Sequence, residues 1–255
     1  MPDEAMIIRI RDPNSERLGR YHRFLGTYDP SLVDPLPSIQ KELRETLKGN
    51  YETPHVIIAA EGEQKDIIAA ASGNLLPVSY NRKGQALAVM MLCYSAPEFG
   101  DSSPLDECLA TLESRLAAFA TRRKEQMVLS LVEAETGKMG VYNSWGYRTL
   151  EGVEYHQPPL DWESNGDPKS EAVRLELMAK LFGTKAYEAD IAREINPALR
   201  RGFVRAAADY ILNEFYVPSE IGRSPEANAR IEAFNKSLFE QLEASLGSRT
   251  WIGLK

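Results

Sequence analysis

One helix constrains this fold more than any other feature. From Ser103 the chain reads SPLDECLATLESRLAAF, with Leu105, Cys108, Leu109, Leu112, Leu116 and Phe119 forming one apolar stripe at helical spacing. Ser103 stands at the cap, Pro104 at the first helical position, and Asp106 completes a capping-box pattern, which places the helix start. A single stripe must be buried, and the flanking sequence supplies sheet to bury it. Residues 55–61 (HVIIAAE) and 66–76 (DIIAAASGNLL) are apolar, β-branched runs on either side of a polar turn at Gly62, which predicts a hairpin. Gly73 predicts a bulge and Pro77 the end of the second strand. Residues 86–94 (ALAVMMLCY) are continuously apolar, as in a strand covered on both faces, and MVLSLV at 127–132 predicts another strand beyond the helix.

Upstream, MIIRIR at 6–11 predicts a first strand, followed by helices over about 16–25 and 37–48, where Ile39, Leu43 and Leu47 recur at fours. Three prolines in TYDPSLVDPLP make the intervening stretch a loop. Downstream of 132 come a short helix around 139–145, a turn at Gly146, and strands near 147–150 and 153–156. The mixed order predicts the α+β class. QPPLDWESNGDPKS then reads as a linker or long surface excursion. The boundary is expected there, giving units 1–160 and 161–255. The second is expected to be mainly helical, with one strand over 173–181, a helix opening at Asn196-Pro197 and another from Ser224-Pro225 to Gly247. The Phe and Tyr residues of those helices are expected to be packing residues.

Composition excludes several classes. With 43% hydrophobic and 26% charged residues, the 255-residue chain is ordinary globular material. A net charge of −7 argues against nonspecific nucleic-acid binding. The cluster Arg122-Arg123-Lys124 closes the long helix, where cations complement its carboxyl end. No apolar run reaches the roughly 20 residues of a membrane span. The acids in MPDEAMIIRI stand where a secretory leader has a basic region, so a cytoplasmic location is expected. Cys93 and Cys108 lie in apolar stretches and are expected as reduced core thiols. The scattered His22, His55 and His156 predict no metal site.

The segment VYNSWGYRTLEGVEYHQPPL, residues 141–160, carries a more specific pattern. Tyr142 lies four residues before Gly146, which is followed by the aromatic Tyr147, and Tyr155 leads into Gln157-Pro158-Pro159. Together with the element order, this resembles the GNAT superfamily of acyl-CoA-dependent N-acyltransferases over the first 160 or so residues. The resemblance implies a mixed, mostly antiparallel central sheet flanked by helices, and acetyl-CoA or another acyl-CoA as cosubstrate. It gives Tyr142 the role of protonating the leaving thiolate, which suits a phenol of pKa about 10 facing a thiol of about 8.5. It also implies an oxyanion site at a backbone N–H near Leu92, Cys93 and Tyr94.

Two departures from the family pattern stand beside it. The family's R-x-x-G-x-G loop, whose amides wrap the diphosphate of coenzyme A, corresponds here to PEFGDSSP at 97–104. Only Gly100 remains as glycine, and Asp101 adds a charge that competes with phosphate. Any cradle is expected to use Gly100, Asp101, Ser102 and Ser103, and the same residues read equally as a well-capped helix start. The family's asparagine seven residues before the tyrosine is Glu135 here, so Glu133 and Glu135 are the candidate bases for an amine nucleophile.

The expected function is acyl transfer from a CoA thioester to the amine of a small molecule, by direct attack in a ternary complex. The alternatives are a catalytically inactive binding or assembly module, or an acyltransferase with a carrier-protein donor. The C-terminal segment is expected to complete the acceptor pocket or to form a homodimer interface.

Overall fold

The computed structural model describes residues 5–28, 33–49, 53–82, 85–96, 103–182, 191–192, 198–216 and 223–255. The chain forms two compact units, Met1–Pro77 with Ala88–Met127, and Val78–Leu87 with Val128–Lys255. The division therefore does not fall at residue 160.

The first unit holds strands β1 (Met6–Ile10) and β2 (His55–Glu61) and the parts of β3 (Ile67–Arg82) and β4 (Gln85–Ala96) outside Val78–Leu87, side by side in that order. β1 runs antiparallel to β2, with Ile8 opposite Ala59, and β2 antiparallel to β3, with Ile57 opposite Ser72. β2 is buried along its whole length, which its apolar run requires. One of its faces, through Ile57 and Ala59, joins the core of helices α1 (Glu16–Gly26) and α2 (Leu36–Lys48), whose Leu18, Tyr21, Leu25, Ile39 and Leu43 point inward. Helix α3 (Ser103–Arg122) packs on β2 and buries Leu105, Cys108, Leu112 and Leu116, the stripe read from the sequence. The Ser15 side chain accepts the Leu18 amide to start α1, and α2 stops at Gly49 in the left-handed conformation.

Two expectations for β3 need correction. The register shift falls between Ala60 and Glu61 of β2, leaving Ile68 as the extra residue, while Gly73 stays in regular register opposite Val56. Glycine is needed at 73 for close approach, since a Cβ there would sit 2.5 Å from the Met91 carbonyl oxygen. β3 also continues through Pro77 to Arg82. A proline ends a strand only where its missing N–H belongs to the ladder.

At the end of β2, Glu61 is 2% exposed and binds Arg17 through both carboxylate oxygens at 2.9 Å and Arg20 at 3.0 Å. Two guanidinium groups from α1 thus satisfy a buried charge that burial alone would make costly.

The second unit takes β5 (Glu125–Ala134) from Val128 onward. Next come a 3₁₀ turn (Thr136–Lys138), α4 (Met139–Ser144), β6 (Arg148–Thr149), β7 (Tyr155–Gln157) and β8 (Val173–Leu181). β8 is the hub of this sheet. It pairs antiparallel with β5 along one edge and with β6 and β7 along the other. A strand from beyond residue 160 is therefore integral to the sheet, which is why the expected boundary fails.

The supposed linker is a docked turn. Trp162 bridges Pro168, the Glu163 amide donates to the Asp167 carbonyl at 2.8 Å, and Lys169 pairs with Asp161 at 2.9 Å. Strand β9 (Ile191–Ala192) is followed by β10 (Ala198–Arg200), α5 (Arg201–Tyr210), a π-helical turn (Ile211–Phe215), α6 (Pro225–Leu246) and β11 (Trp251–Gly253). The helix expected from Asn196-Pro197 begins instead at Arg201. Residues 198–200 form a strand between β9 and β11, and Asn196 and Pro197 lie outside the described residues. Trp162 is 5% exposed and packs edge-on against Phe234 of α6, while Asp167 pairs with Arg230 at 3.1 Å.

In each unit the pairings given above are antiparallel and helices cover the strands, so the α+β class holds. Among the described residues no helix is long and apolar enough to cross a membrane.

Candidate active site around Glu133

Pairing in the second unit's sheet decides which side chains meet. Glu133 of β5 lies opposite Leu177 of β8, and Tyr155 and Gln157 of β7 lie opposite Leu175 and Val173 of the same strand. Side chains alternate along a strand and paired residues share a face, so Glu133, Tyr155 and Gln157 emerge on one face of this sheet. Leu129, Leu131 and Leu177 share that face. With Leu150 and with Leu199, Phe203, Val204 and Ala207 from β10 and α5, they line a small apolar cavity.

Tyr216 arrives on the same carboxylate from the far end of the chain. α5 buries Phe203, Val204, Ala207 and Ala208, and then widens into the π-helical turn. The Tyr216 amide donates to the Ile211 carbonyl at 3.0 Å, five residues back. A wider turn rotates the next side chain off the α-helical path, and such turns recur at functional sites.

The carboxylate is then enclosed. The Tyr155 hydroxyl donates to Glu133 Oε1 and the Tyr216 hydroxyl to Oε2. Gln157 Nε2 donates to Glu133 Oε2 at 3.3 Å and to Tyr216 Oη at 2.9 Å. Tyr155 is wholly buried, whereas Glu133, Gln157 and Tyr216 keep some exposure. Burial pushes the Glu133 carboxyl up to about 7, against the lowering effect of the two phenolic hydrogen bonds. The Tyr155 phenol lies well above its ordinary value, first through burial and then through repulsion by the Glu133 carboxylate. A carboxyl that exchanges a proton near neutrality, with an apolar floor and partial access to solvent, is equipped for general acid–base chemistry.

Tyr142 has a well-defined local setting. The Tyr147 amide donates to the Tyr142 carbonyl at 3.1 Å, and Gly146 takes φ +89°. That six-to-one hydrogen bond with a left-handed residue is the Schellman ending of α4, so the glycine four residues after Tyr142 has a backbone reason. The following aromatic residue has a packing reason, because Tyr147 is 1% exposed and shares a 2.6 Å hydrogen bond with Ser130 of β5. The half-buried Tyr142 ring meets Trp145 and Tyr147 edge-on, with centroids 5.6 and 6.1 Å away.

The remaining sequence candidates are placed as follows. Glu135 is exposed, pairs with Lys138 at 3.6 Å and stays outside the Glu133 cluster. In the first unit Leu92 is 2% exposed. Cys93 is half-buried and belongs to a polar chain rather than to the apolar core. Its thiol donates to Asn74 Oδ1 at 3.3 Å, the same oxygen lies 2.7 Å from His55 Nδ1, and that nitrogen lies 3.0 Å from Glu42 Oε2. Cys108 is buried, as expected, and burial pushes its thiol up to about 12. Gly100, Asp101 and Ser102, and the side chains of Tyr94 and Ser103, lie outside the described residues.

Sequence reading marked Glu133 but missed its three partners. Tyr155 and Gln157 carried a usable signal, because residues two apart on a strand share a face. Tyr216 carried none, since 83 positions separate it from Glu133.

No protein-family model and no curated protein matches this sequence. Solved structures do. A ribosomal-protein-alanine N-acetyltransferase from Brucella melitensis is 16% identical, covering 69% of this chain and 99% of its own, at a TM-score of 0.42. A GNAT-superfamily phosphinothricin acetyltransferase from Sinorhizobium meliloti, in complex with AcCoA, is 13% identical over 70% of this chain and 89% of its own, at 0.43. NAA60 from Arabidopsis thaliana, in complex with acetyl-CoA, is 8% identical over 70% and 99%, at 0.45. At these scores the likeness is to part of a backbone path and carries no activity across to this chain.

Proposed function

We propose that this protein is an N-acyltransferase that moves an acetyl or other acyl group from a CoA thioester to the amine of a small molecule in the cytoplasm. The observation that carries the reading is the Glu133 carboxyl, poised near 7 inside a hydrogen-bonded cluster at the end of β5. An amine of pKa near 10 is protonated at neutral pH and must lose a proton before it attacks a thioester. Glu133 takes that proton. The freed amine forms a bond to the thioester carbonyl carbon, the carbon–sulfur bond breaks, the thiolate accepts a proton from the Tyr142 hydroxyl, and the second proton shed by the acylated nitrogen restores that phenol, leaving a neutral amide and a free thiol. Support for the donor comes from the resemblance in residues 141–160, and of the stretch that would meet its diphosphate, residues 97–102 lie outside the described residues.

Calorimetry with acetyl-CoA and longer acyl-CoAs tests the donor directly. Binding below millimolar ligand is the expected result, and no heat at millimolar acyl-CoA removes the CoA reading. With a donor and an accepted amine in hand, Tyr142→Phe is expected to lower kcat by about 100-fold or more with donor affinity little changed. An unchanged kcat retires Tyr142 as the acid.

A further inference from the structure

We infer that Tyr155, Gln157 and Tyr216 are positioning residues for Glu133, which hold its carboxylate in one orientation and favour its ionised form, so that the C-terminal segment is part of the catalytic site. This rests on the reading of Glu133 as the base.

The hydrogen-bond inventory makes the cluster directional. A phenol has one proton to give, and Tyr155 gives its proton to Oε1. Gln157 donates to Tyr216 Oη at 2.9 Å and so occupies the accepting side of that hydroxyl. The Tyr216 proton is thereby directed to Glu133 Oε2. Tyr216 Oη and Glu133 Oε2 lie side by side within reach of Gln157 Nε2, so one amide N–H of Gln157 is shared between them. The three partners together hold both carboxylate oxygens.

Among the described residues, the elements packed around Glu133 bring no competing charge onto this face. On β8 and β7, Arg174, Glu176 and His156 alternate to the opposite side of the sheet. The buried face of α5 is Phe203, Val204, Ala207 and Ala208, and that of α6 carries no ionisable side chain. Glu135 and Lys138, past the end of β5, pair with each other. Among the described residues, Tyr155 and Tyr216 are the ionisable groups that act on Glu133. Burial on the apolar floor disfavours the carboxylate, and their hydrogen bonds oppose it. Removing either hydroxyl moves the carboxyl toward its protonated form.

The test is a carboxyl ¹³C NMR titration of the full-length protein, with the Glu133 signal assigned by its loss in Glu133→Gln. Tyr216→Phe and Tyr155→Phe are each expected to raise the Glu133 midpoint by about one pH unit. Gln157→Leu is expected to raise it less. The acid limb of kcat/KM for acyl transfer from acetyl-CoA should move the same way. If the buried Tyr155→Phe variant fails to fold, the half-exposed Tyr216→Phe decides the question. An unmoved midpoint in folded Tyr216→Phe overturns the inference. A midpoint that moves while the unmodified protein transfers no acyl group upholds the clamp and rejects the acyl-transfer reading.

Discussion

Glu133→Gln is expected to lower kcat/KM for acyl transfer about 100- to 10,000-fold and, above pH 7, to leave a protein more stable than the unmodified one. The loss follows from removing the group that takes the proton of the amine. The stability gain follows from linkage. Folding raises the Glu133 carboxyl from 4.5 to about 7, so the folded state binds more protons than the unfolded state between those values. Stability from this group is complete below 4.5, declines as pH rises through the window, and is absent above about 7. The difference is at most about 3 kcal/mol. Glutamine carries no charge, so the variant should lack that decline, and its amide can still accept from one tyrosine. Two measurements check this, the pH–rate profile and denaturation midpoints at pH 5 and pH 8. A variant that retains turnover removes Glu133 from the mechanism. One that shows the same pH-dependent loss of stability as the unmodified protein means that Glu133 ionises normally.

Gly166→Ala is expected to destabilise the protein by about 3 kcal/mol or more. Gly166 sits at φ +86°, where an L side chain is strained. A Cβ there would fall 2.3 Å from the Ala227 carbonyl oxygen and 2.8 Å from the Ala227 Cα. These are backbone atoms in the first turn of α6, so no side chain can swing aside. The turn over 161–169 would lift from α6 and lose both the packing of Trp162 on Phe234 and the Asp167–Arg230 pair. Gly137→Ala is the control, because a Cβ there meets nothing within 4 Å. Urea unfolding of the two variants should separate them clearly. Equal midpoints would mean that the turn contributes no stability through its docking on α6.

Sequence alone determined what depends on neighbours within a few residues. The α3 stripe, the Ser224 cap of α6, the apolar runs of β2 and β4 and the Gly146 turn all follow from spacing, capping and backbone conformation, which act locally. It also offered Glu133 and Glu135, at the end of a predicted strand, and Tyr142, through the family resemblance, as candidate site residues. What it missed was long-range. β8 looked like an optional strand of a separate extension, because a nine-residue apolar-polar run does not reveal which strand will accept it. The turn at 161–169 looked like a linker because Pro, Gly and Asp suit an exposed loop and a docked turn alike.

Tertiary structure alone turned Glu133 from a solitary acid at a strand end into a half-buried carboxylate held by Tyr155, Gln157 and Tyr216. The physical reason is that a carboxyl's ionisation is set by its surroundings in three dimensions, by what excludes water from it and which hydroxyls reach it. Those neighbours come from two separate places in the chain, β7 and the turn after α5, and only folding brings them to the end of β5.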